Sequence, residues 1–119
     1  YRSLYASEGL YGSLDNLLKF VYLNMHNTNN NPLHNIVVQT QIPYIATQMQ
    51  NVYACIGWYQ IKQTKRAPAI YTHSGHIGGY SHYIAFLPTK KIAVVVMSNT
   101  SQRIDDIGIE ILGTLIEKH

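Results

Sequence analysis

Cysteine is nearly absent from this chain of 119 residues, which contains only Cys55. A single thiol excludes an intrachain disulfide and says little about the redox compartment. No apolar run approaches the roughly 20 residues that a transmembrane helix needs, and no signal peptide is visible. We therefore expect one small domain at most, with no membrane span in this chain.

Charge is also scarce, because charged residues make up 13% of the chain and hydrophobic residues 46%. The formal net charge of +3 is spread along the sequence, and Lys62, Lys65 and Arg66 form the only loose basic cluster. No nucleic-acid-binding motif accompanies this cluster. We interpret it as a solvated turn and expect no nucleic-acid partner.

An amphipathic pattern near the start of the chain predicts a helix. Its apolar residues recur at helical spacing, at Leu14, Leu17, Leu18, Val21, Tyr22 and Met25. Ser13 precedes them as a good N-cap, and Asp15 places a negative charge in the first turn. The turn-prone segment 27–32 ends this helix.

The pattern changes from helical to extended in the middle of the chain. Residues 33–51 are interrupted by a proline, and we expect short helices with a polar face there. Residues 52–62 are aromatic and β-branched and predict one strand. Residues 69–74 predict a further short strand, which ends where the His-Ser-Gly triplet begins.

Two apolar runs that follow predict a β-hairpin. Tyr80–Leu87 and Ile92–Ser98 flank the polar turn 88–91. Both alternating faces of the second run are apolar, which is typical of a strand covered on both sides of its sheet. Ahead of the hairpin, the glycines at 75, 78 and 79 allow a tight turn and close approach of a ligand to the backbone.

A second amphipathic pattern closes the chain. Its apolar face comprises Ile104, Ile107, Gly108, Ile111, Leu112 and Leu115, with acidic residues near the start and Lys118 near the end. Gly108 on this face suggests a close backbone crossing over the sheet. Helices, then an antiparallel sheet of three to four strands, then a helix packed on the sheet make an α+β fold.

Several motifs, in this order, resemble those of one enzyme family. His73-Ser74-Gly75-His76-Ile77-Gly78-Gly79-Tyr80 resembles a Lys-Thr-Gly box and the Gly-Gly-aromatic turn after it. Segment 9–13 resembles the start of a late helix, 56–58 a Gly-Trp strand, and 83–88 and 94–99 the last two strands. The family is that of class C β-lactamases and penicillin-binding-protein-like serine hydrolases, and the resemblance covers only the C-terminal third of its members.

This resemblance implies that the chain is part of a larger serine hydrolase. Residues 1–51 would belong to its helical subdomain, and residues 52–119 would form the sheet and the closing helix. The first residue is Tyr1 and not methionine, which suggests a piece of a longer protein. The implied substrates are small molecules or cell-wall peptides, and the implied location is periplasmic or secreted.

The resemblance also assigns roles to four residues. The backbone N–H of His76, the residue after the box, would donate to the oxyanion that forms during acyl transfer. His73 and Ser74 stand where the family has Lys and Thr, and would bind a substrate carboxylate and share the proton network. Gly75 completes this substrate-binding strand. Histidine at the lysine position exchanges a permanent cation for a titrating one, and members with His-Ser-Gly are often esterases or peptidases.

The family's nucleophile is missing from this chain. It stands in a Ser-x-x-Lys motif, and no serine here has lysine at the third position after it. Tyr5-Ala6-Ser7 invites comparison with the family's tyrosine box, but it lies much closer to His73 than in family members, and we reject it. We expect the chain alone to be inactive. A non-catalytic relative that acts as a binding or structural module is the alternative.

Other chemistry at the histidines is less favourable. Ser74 is a poor candidate nucleophile beside His73, because neighbours on a strand point to opposite faces. His73, His76 and His82 as zinc ligands lack a cysteine or carboxylate at a recognisable spacing, so we expect no metal and no cofactor.

In the family, N-terminal strands pair beside the last strand. Their loss would leave Ile92–Ser98 as an exposed edge, and we expect dimers or aggregates.

Overall fold

The structure, a computed structural model, describes residues 8–119. Helix α1 spans Leu14–Met25, α2 spans His34–Thr40 and α3 spans Asp105–Lys118. The strands are β1 (Ile45–Ala46), β2 (Val52–Ala54), β3 (Tyr59–Ile61), β4 (Ile70–Ile77), β5 (Tyr80–Leu87) and β6 (Ile92–Ser98). The predicted α+β fold, with a closing helix on an antiparallel sheet, is confirmed. Within the described residues, no helix is long and apolar enough to cross a bilayer.

The sheet has six strands in the order β1-β2-β3-β4-β5-β6, more than the three or four predicted. Residues 52–62 form a hairpin and not one strand, because Gly57 has a φ of 84° and turns the chain back. The Cys55 N–H donates to the Trp58 carbonyl at 2.8 Å across this turn. Strand β1 lies where only helices were expected, since two residues are too few to show an alternating pattern.

The two predicted turns around β5 form as expected. Gly78 and Gly79 have φ values of 58° and 81°, as a type I′ turn of two residues requires, and they join β4 to β5. Gly75 lies inside β4, so the prediction that it contributes to the tight turn is wrong. A short 3-10 turn, Pro88–Lys90, joins β5 to β6.

Helix α1 is fixed at both ends. A capping box starts it: Ser13 Oγ accepts from the Asn16 N–H at 3.2 Å, and Asn16 Oδ1 accepts from the Ser13 N–H at 3.0 Å. At the other end, the Lys91 ammonium donates to the carbonyl of Met25. This contact ties the helix to the turn between β5 and β6.

The apolar face of α1 is less covered than the sequence suggests. Only Val21 and Asn24 of the helix are buried. Leu14, Leu18 and Tyr22 are 48%, 46% and 61% exposed. The expected stripe is therefore wider than the contact that the described sheet makes with the helix.

The sheet packs on helices on both of its faces. On the α3 face the buried residues are Tyr83, Ala85, Leu87, Ile92, Val94, Ile104 and Leu112. On the α1 face they are Val21, Trp58, Tyr71 and Phe86. Strand β6 contributes to both clusters, which confirms the prediction that it is covered on two sides. Its outer edge has no strand partner within residues 8–119.

Helix α3 approaches the sheet closely at Gly108. A Cβ added there would lie 2.0 Å from Tyr83 Cδ1, a distance that no real side chain tolerates. The predicted close crossing is therefore confirmed. Tyr83 lies opposite Ser74 in the sheet, so this contact supports the strand that carries the His-Ser-Gly triplet.

Candidate functional site

Strand β4 has two halves with different surroundings. In the inner half, residues 70–72, each residue has a partner on β3 and the pairing with β5 begins at Tyr71. In the outer half, residues 73–77, the strand pairs with β5 alone and its side chains are exposed. The outer half contains the whole His-Ser-Gly triplet and His76.

The hydrogen-bond pattern of the β2–β3 hairpin fixes the direction of the β4 backbone groups. The Lys62 N–H donates to the Asn51 carbonyl at 3.0 Å, so the backbone groups of Lys62 point toward β2. Backbone groups alternate between the two edges of an antiparallel strand, and those of Ile61 therefore point toward β4. Ile61 lies opposite Ile70, so the N–H and C=O of Ile70 point toward β3.

The same alternation continues along β4. The backbone groups of Thr72, Ser74 and His76 point to the β3 side, and those of His73 and Gly75 point to β5. Pairing with β3 ends at Thr72. The His76 N–H, which we predict to be an oxyanion donor, is thus directed to an edge that no strand of the described chain covers.

The side chains of the triplet point into two different cavities. His73 lines an open apolar cavity of about 430 Å³ between α1, α2 and the sheet, together with Trp58 and Ile84. Ser74 and His76 line a polar cavity of about 260 Å³ on the opposite face. The structure therefore does not bring His73 and Ser74 together, in agreement with the argument against a Ser74 nucleophile activated by His73.

The polar cavity also contains two charged residues that are not among the predicted site residues. Arg103 lies in the loop before α3, and Asp105 is the first residue of that helix. Within the described chain Arg103 makes no salt bridge; Lys19 and Asp15 form the one found there. The guanidinium of Arg103 is therefore available to a ligand in this cavity.

A short hydrogen-bonded chain fixes the ring of His76. Its Nδ1 lies 2.8 Å from Ser81 Oγ, and Ser81 Oγ donates to the Thr100 carbonyl at 2.9 Å. Ser81 is buried, with 2% of its surface exposed. The sequence contained a signal for the first of these contacts, because a Gly-Gly turn of two residues places His76 opposite Ser81.

Two buried tyrosines border the site but provide no base. Burial raises the pKa of Tyr83, a hydrogen bond with the Thr72 side chain acts in the opposite direction, and the nearby Asp105 charge raises it further. Burial also raises the pKa of Tyr71, which accepts a hydrogen bond from Gln60 Nε2 at 3.2 Å. Both phenols are therefore protonated at neutral pH. Tyr5-Ala6-Ser7 lies outside the described residues.

The histidines of the site do not gather around a common point. His82 is on the α1 face, where its ring lies 6.4 Å from that of Tyr80, whereas His76 is on the α3 face. Among residues 8–119, no three His, Cys, Asp or Glu side chains are placed to hold a metal ion. The chemical groups of this region are a strand edge, hydroxyl groups, imidazoles, one guanidinium and one carboxylate.

Comparison with known proteins identifies the family of the chain. No curated protein matches the chain significantly. A family model described as Beta-lactamase matches residues 1–115, which include β4, both cavities and nearly all of α3. The chain belongs to the β-lactamase family.

Proposed function

We propose that this chain is the C-terminal part of a serine hydrolase of the class C β-lactamase and penicillin-binding type. Such an enzyme hydrolyses an amide or ester through an acyl-enzyme. The observation that carries the proposal is the open edge of the outer half of β4, with the His76 N–H directed toward it. This edge contains the His-Ser-Gly triplet in a chain of the β-lactamase family.

The open edge suits the backbone of an extended acyl substrate. A peptide that adds to a sheet edge is held by main-chain hydrogen bonds, here with the free backbone groups of Ser74 and His76. The His76 N–H then donates to the oxyanion. A donor aimed at charge that develops in the transition state accelerates the reaction more than one that binds the ground state equally well. The second donor would be the N–H of the nucleophile.

The polar cavity supplies the proposed carboxylate contacts. The Ser74 hydroxyl and the Arg103 guanidinium both line it, and arginine can bind a carboxylate through two parallel hydrogen bonds. His73 lies on the other face, so we assign it to the proton network and not to the same carboxylate. This arrangement differs from the sequence-based prediction, in which His73 and Ser74 bind the carboxylate together.

The apolar cavity is where we place the nucleophile-bearing segment. Phe20, Ile36 and Ile56 around it are 48%, 59% and 57% exposed, an apolar surface that isolated domains rarely present. The segment would bring its serine to the His73 side of the strand. The proposed substrates remain β-lactams, D-alanyl peptides or esters, and the proposed location is periplasmic or secreted.

The test uses the chain extended by its upstream residues. We expect that the longer protein contains Ser-x-x-Lys and that a fluorescent penicillin or a p-nitrophenyl ester acylates this serine. Replacing the N–H of residue 76 by oxygen, through a backbone ester, should lower kcat by roughly 10²–10³-fold. The same replacement at residue 74, whose N–H faces the same edge, is the matched control and should cost less.

The rival proposal is a non-catalytic relative that uses the strand edge only for binding, and the upstream sequence decides between the two. A longer protein that lacks the motif and is not acylated, yet binds an extended peptide, would establish that rival. Acylation of a serine outside Ser-x-x-Lys would contradict both readings.

A further inference from the structure

The contacts of Ser81 determine which nitrogen of His76 carries the proton. The Thr100 carbonyl can only accept a hydrogen bond. Ser81 Oγ lies 2.9 Å from it and therefore donates its single hydroxyl proton to this oxygen. Ser81 Oγ must then act as acceptor in its 2.8 Å contact with His76. The neutral imidazole of His76 is therefore protonated at Nδ1, and its Nε2 is an acceptor.

Protonation of such a ring changes only one of its two nitrogens. The Nδ1–H continues to donate to Ser81, and Nε2 changes from acceptor to donor. His76 is exposed, and its Nε2 makes no hydrogen bond to any residue of the described chain. The change of role therefore requires no rearrangement of Ser81, Thr100 or the strand.

The charges around His76 make this change decisive for a ligand. Arg103 from the loop and Asp105 from α3 line the same cavity and carry opposite formal charges. β4 and β5 contribute only the neutral hydroxyls of Ser74 and Ser81. With neutral His76 these formal charges cancel, and with protonated His76 the cavity has a net charge of +1.

We propose that the polar cavity is a proton-dependent carboxylate subsite, in which Ser81 holds His76 so that Nε2 excludes the carboxylate when neutral and binds it when protonated. A lone pair on Nε2 repels a carboxylate oxygen, whereas an Nε2–H donates to it beside the Arg103 guanidinium. The inference rests on the proposed function only in taking the ligand to be the substrate. It needs neither a nucleophile nor turnover.

Ser81 is thus a positioning residue, and its role can be read by ¹⁵N NMR of the histidines. In the unsubstituted chain at alkaline pH, His76 should show a protonated Nδ1 and an unprotonated Nε2. Ser81→Ala should move the ring toward the Nε2–H form that free neutral imidazole favours. Ser101→Ala, an exposed position in the same loop, is the control and should change nothing. A His76 protonated at Nε2 in the unsubstituted chain would overturn the assignment.

Ligand binding provides a second and independent test. Acetate should bind roughly tenfold more weakly at alkaline pH than at mildly acidic pH, because only the protonated ring of His76 presents an Nε2–H to it. Acetamide, its neutral analogue, should show no such change. NMR shifts of the residues around the cavity measure both affinities.

His76→Gln separates the subsite from the proposed oxyanion hole, since it removes the imidazole and keeps the backbone N–H. It should abolish the pH dependence of acetate binding, and Arg103→Gln should weaken acetate at both pH values. Equal acetate affinity at the two pH values would overturn the proposal, as would a dependence that survives His76→Gln. Either result leaves the hydrolase proposal to be judged by acylation alone.

Discussion

The inner and outer halves of β4 differ in how much of each is buried. In the inner half, Tyr71 is 9% exposed and stacks on Phe86 with ring centroids 5.4 Å apart. In the outer half, every side chain from His73 to Ile77 is exposed and one backbone edge is open. Packing of the inner half contributes to stability. The side chains and backbone groups of the outer half are not packed and can contact a ligand.

The length of the β2–β3 hairpin sets the boundary between these halves. Because Gly57 turns the chain, β3 begins only at Tyr59, which lies opposite Thr72. A longer β3 would pair with Ser74 and His76 and use the backbone groups that now face outward. The open edge is therefore a consequence of where a neighbouring turn lies.

The largest expected difference between the halves is in stability. Phe86 is fully buried opposite Tyr71, and Phe86→Ala should lower the free energy of unfolding by about 3–5 kcal/mol. His82 is on the same face of β5, opposite Gly75 of the outer half, and His82→Ala should change it by less than about 0.5 kcal/mol. Urea unfolding followed by circular dichroism measures both. Similar losses of unfolding free energy for the two variants would show that the two halves do not differ in their contribution to stability.

A smaller effect on the free energy of unfolding is expected at Gly108, where α3 contacts Tyr83 next to the outer half of β4. Gly108→Ala places a methyl group against Tyr83, and overpacking of this kind costs roughly 1–3 kcal/mol. Gly113 is in the same helix with no atom near its Cβ position, so Gly113→Ala should stabilise the chain by about 0.5–1 kcal/mol. Opposite signs in the unfolding free energies are the expected result. A Gly108→Ala chain as stable as the original would show that the crossing relaxes.

The unpaired edge of β6 differs from the open edge of β4 in how readily it should associate with another chain. Its seven residues include no charge and no proline, whereas the open part of β4 is shorter and polar. We expect concentration-dependent dimers or aggregates through β6, since such an edge can pair with another chain. Met97→Lys should shift light scattering toward the monomer, and Met97→Leu should not. A monomer at all concentrations would contradict this expectation.

Alkaline titration should reveal the buried phenols beside the strand. Burial raises the pKa of Tyr71 and Tyr83, so both should ionise later than exposed tyrosines in an ultraviolet titration. Because the folded pKa is raised, their contribution to stability is complete below the unfolded value of about 10 and is lost as the pH rises through the folded value. Tyr83→Phe should remove one late-ionising group. Ten simultaneous ionisations would count against the burial of both phenols.

The smallest expected effect is on hydrolysis by the chain alone. Without a nucleophile and base, the proposed oxyanion donor by itself should give no appreciable turnover of a chromogenic cephalosporin or a p-nitrophenyl ester. Ser74→Ala should therefore leave the background rate unchanged. A covalent penicillin adduct on Ser74, detected by mass spectrometry, would show that the outer half carries its own nucleophile.

Sequence patterns predicted those parts of the fold that local chemistry determines. Helix α1 has a cap and a helical period, and the β5–β6 hairpin has two apolar runs around a short turn. The division of residues 52–62 into two strands was missed, because a glycine inside a strand pattern does not reveal a positive φ. The exposed part of the α1 stripe was missed because its extent depends on what packs against the helix.

The candidate site was predictable in one half only. The His-Ser-Gly triplet and the position of His76 after it are visible in the sequence, and the Gly-Gly turn implies that Ser81 lies opposite His76. Arg103 and Asp105 join them only because α3 crosses the sheet at Gly108. The sequence predicted this crossing from Gly108, but which residues it places beside His76 depends on tertiary packing.

The order of the strands also has a kinetic consequence. Since every strand pairs with its neighbour in the sequence, the sheet can form by successive hairpins with little loop-closure entropy. The β4–β5 hairpin has the tightest turn, so we expect it in the folding nucleus, with Gly78 and Gly79 controlling the folding rate more than the unfolding rate. The two glycines that place His76 opposite Ser81 would then also set how quickly the chain finds its native pairing.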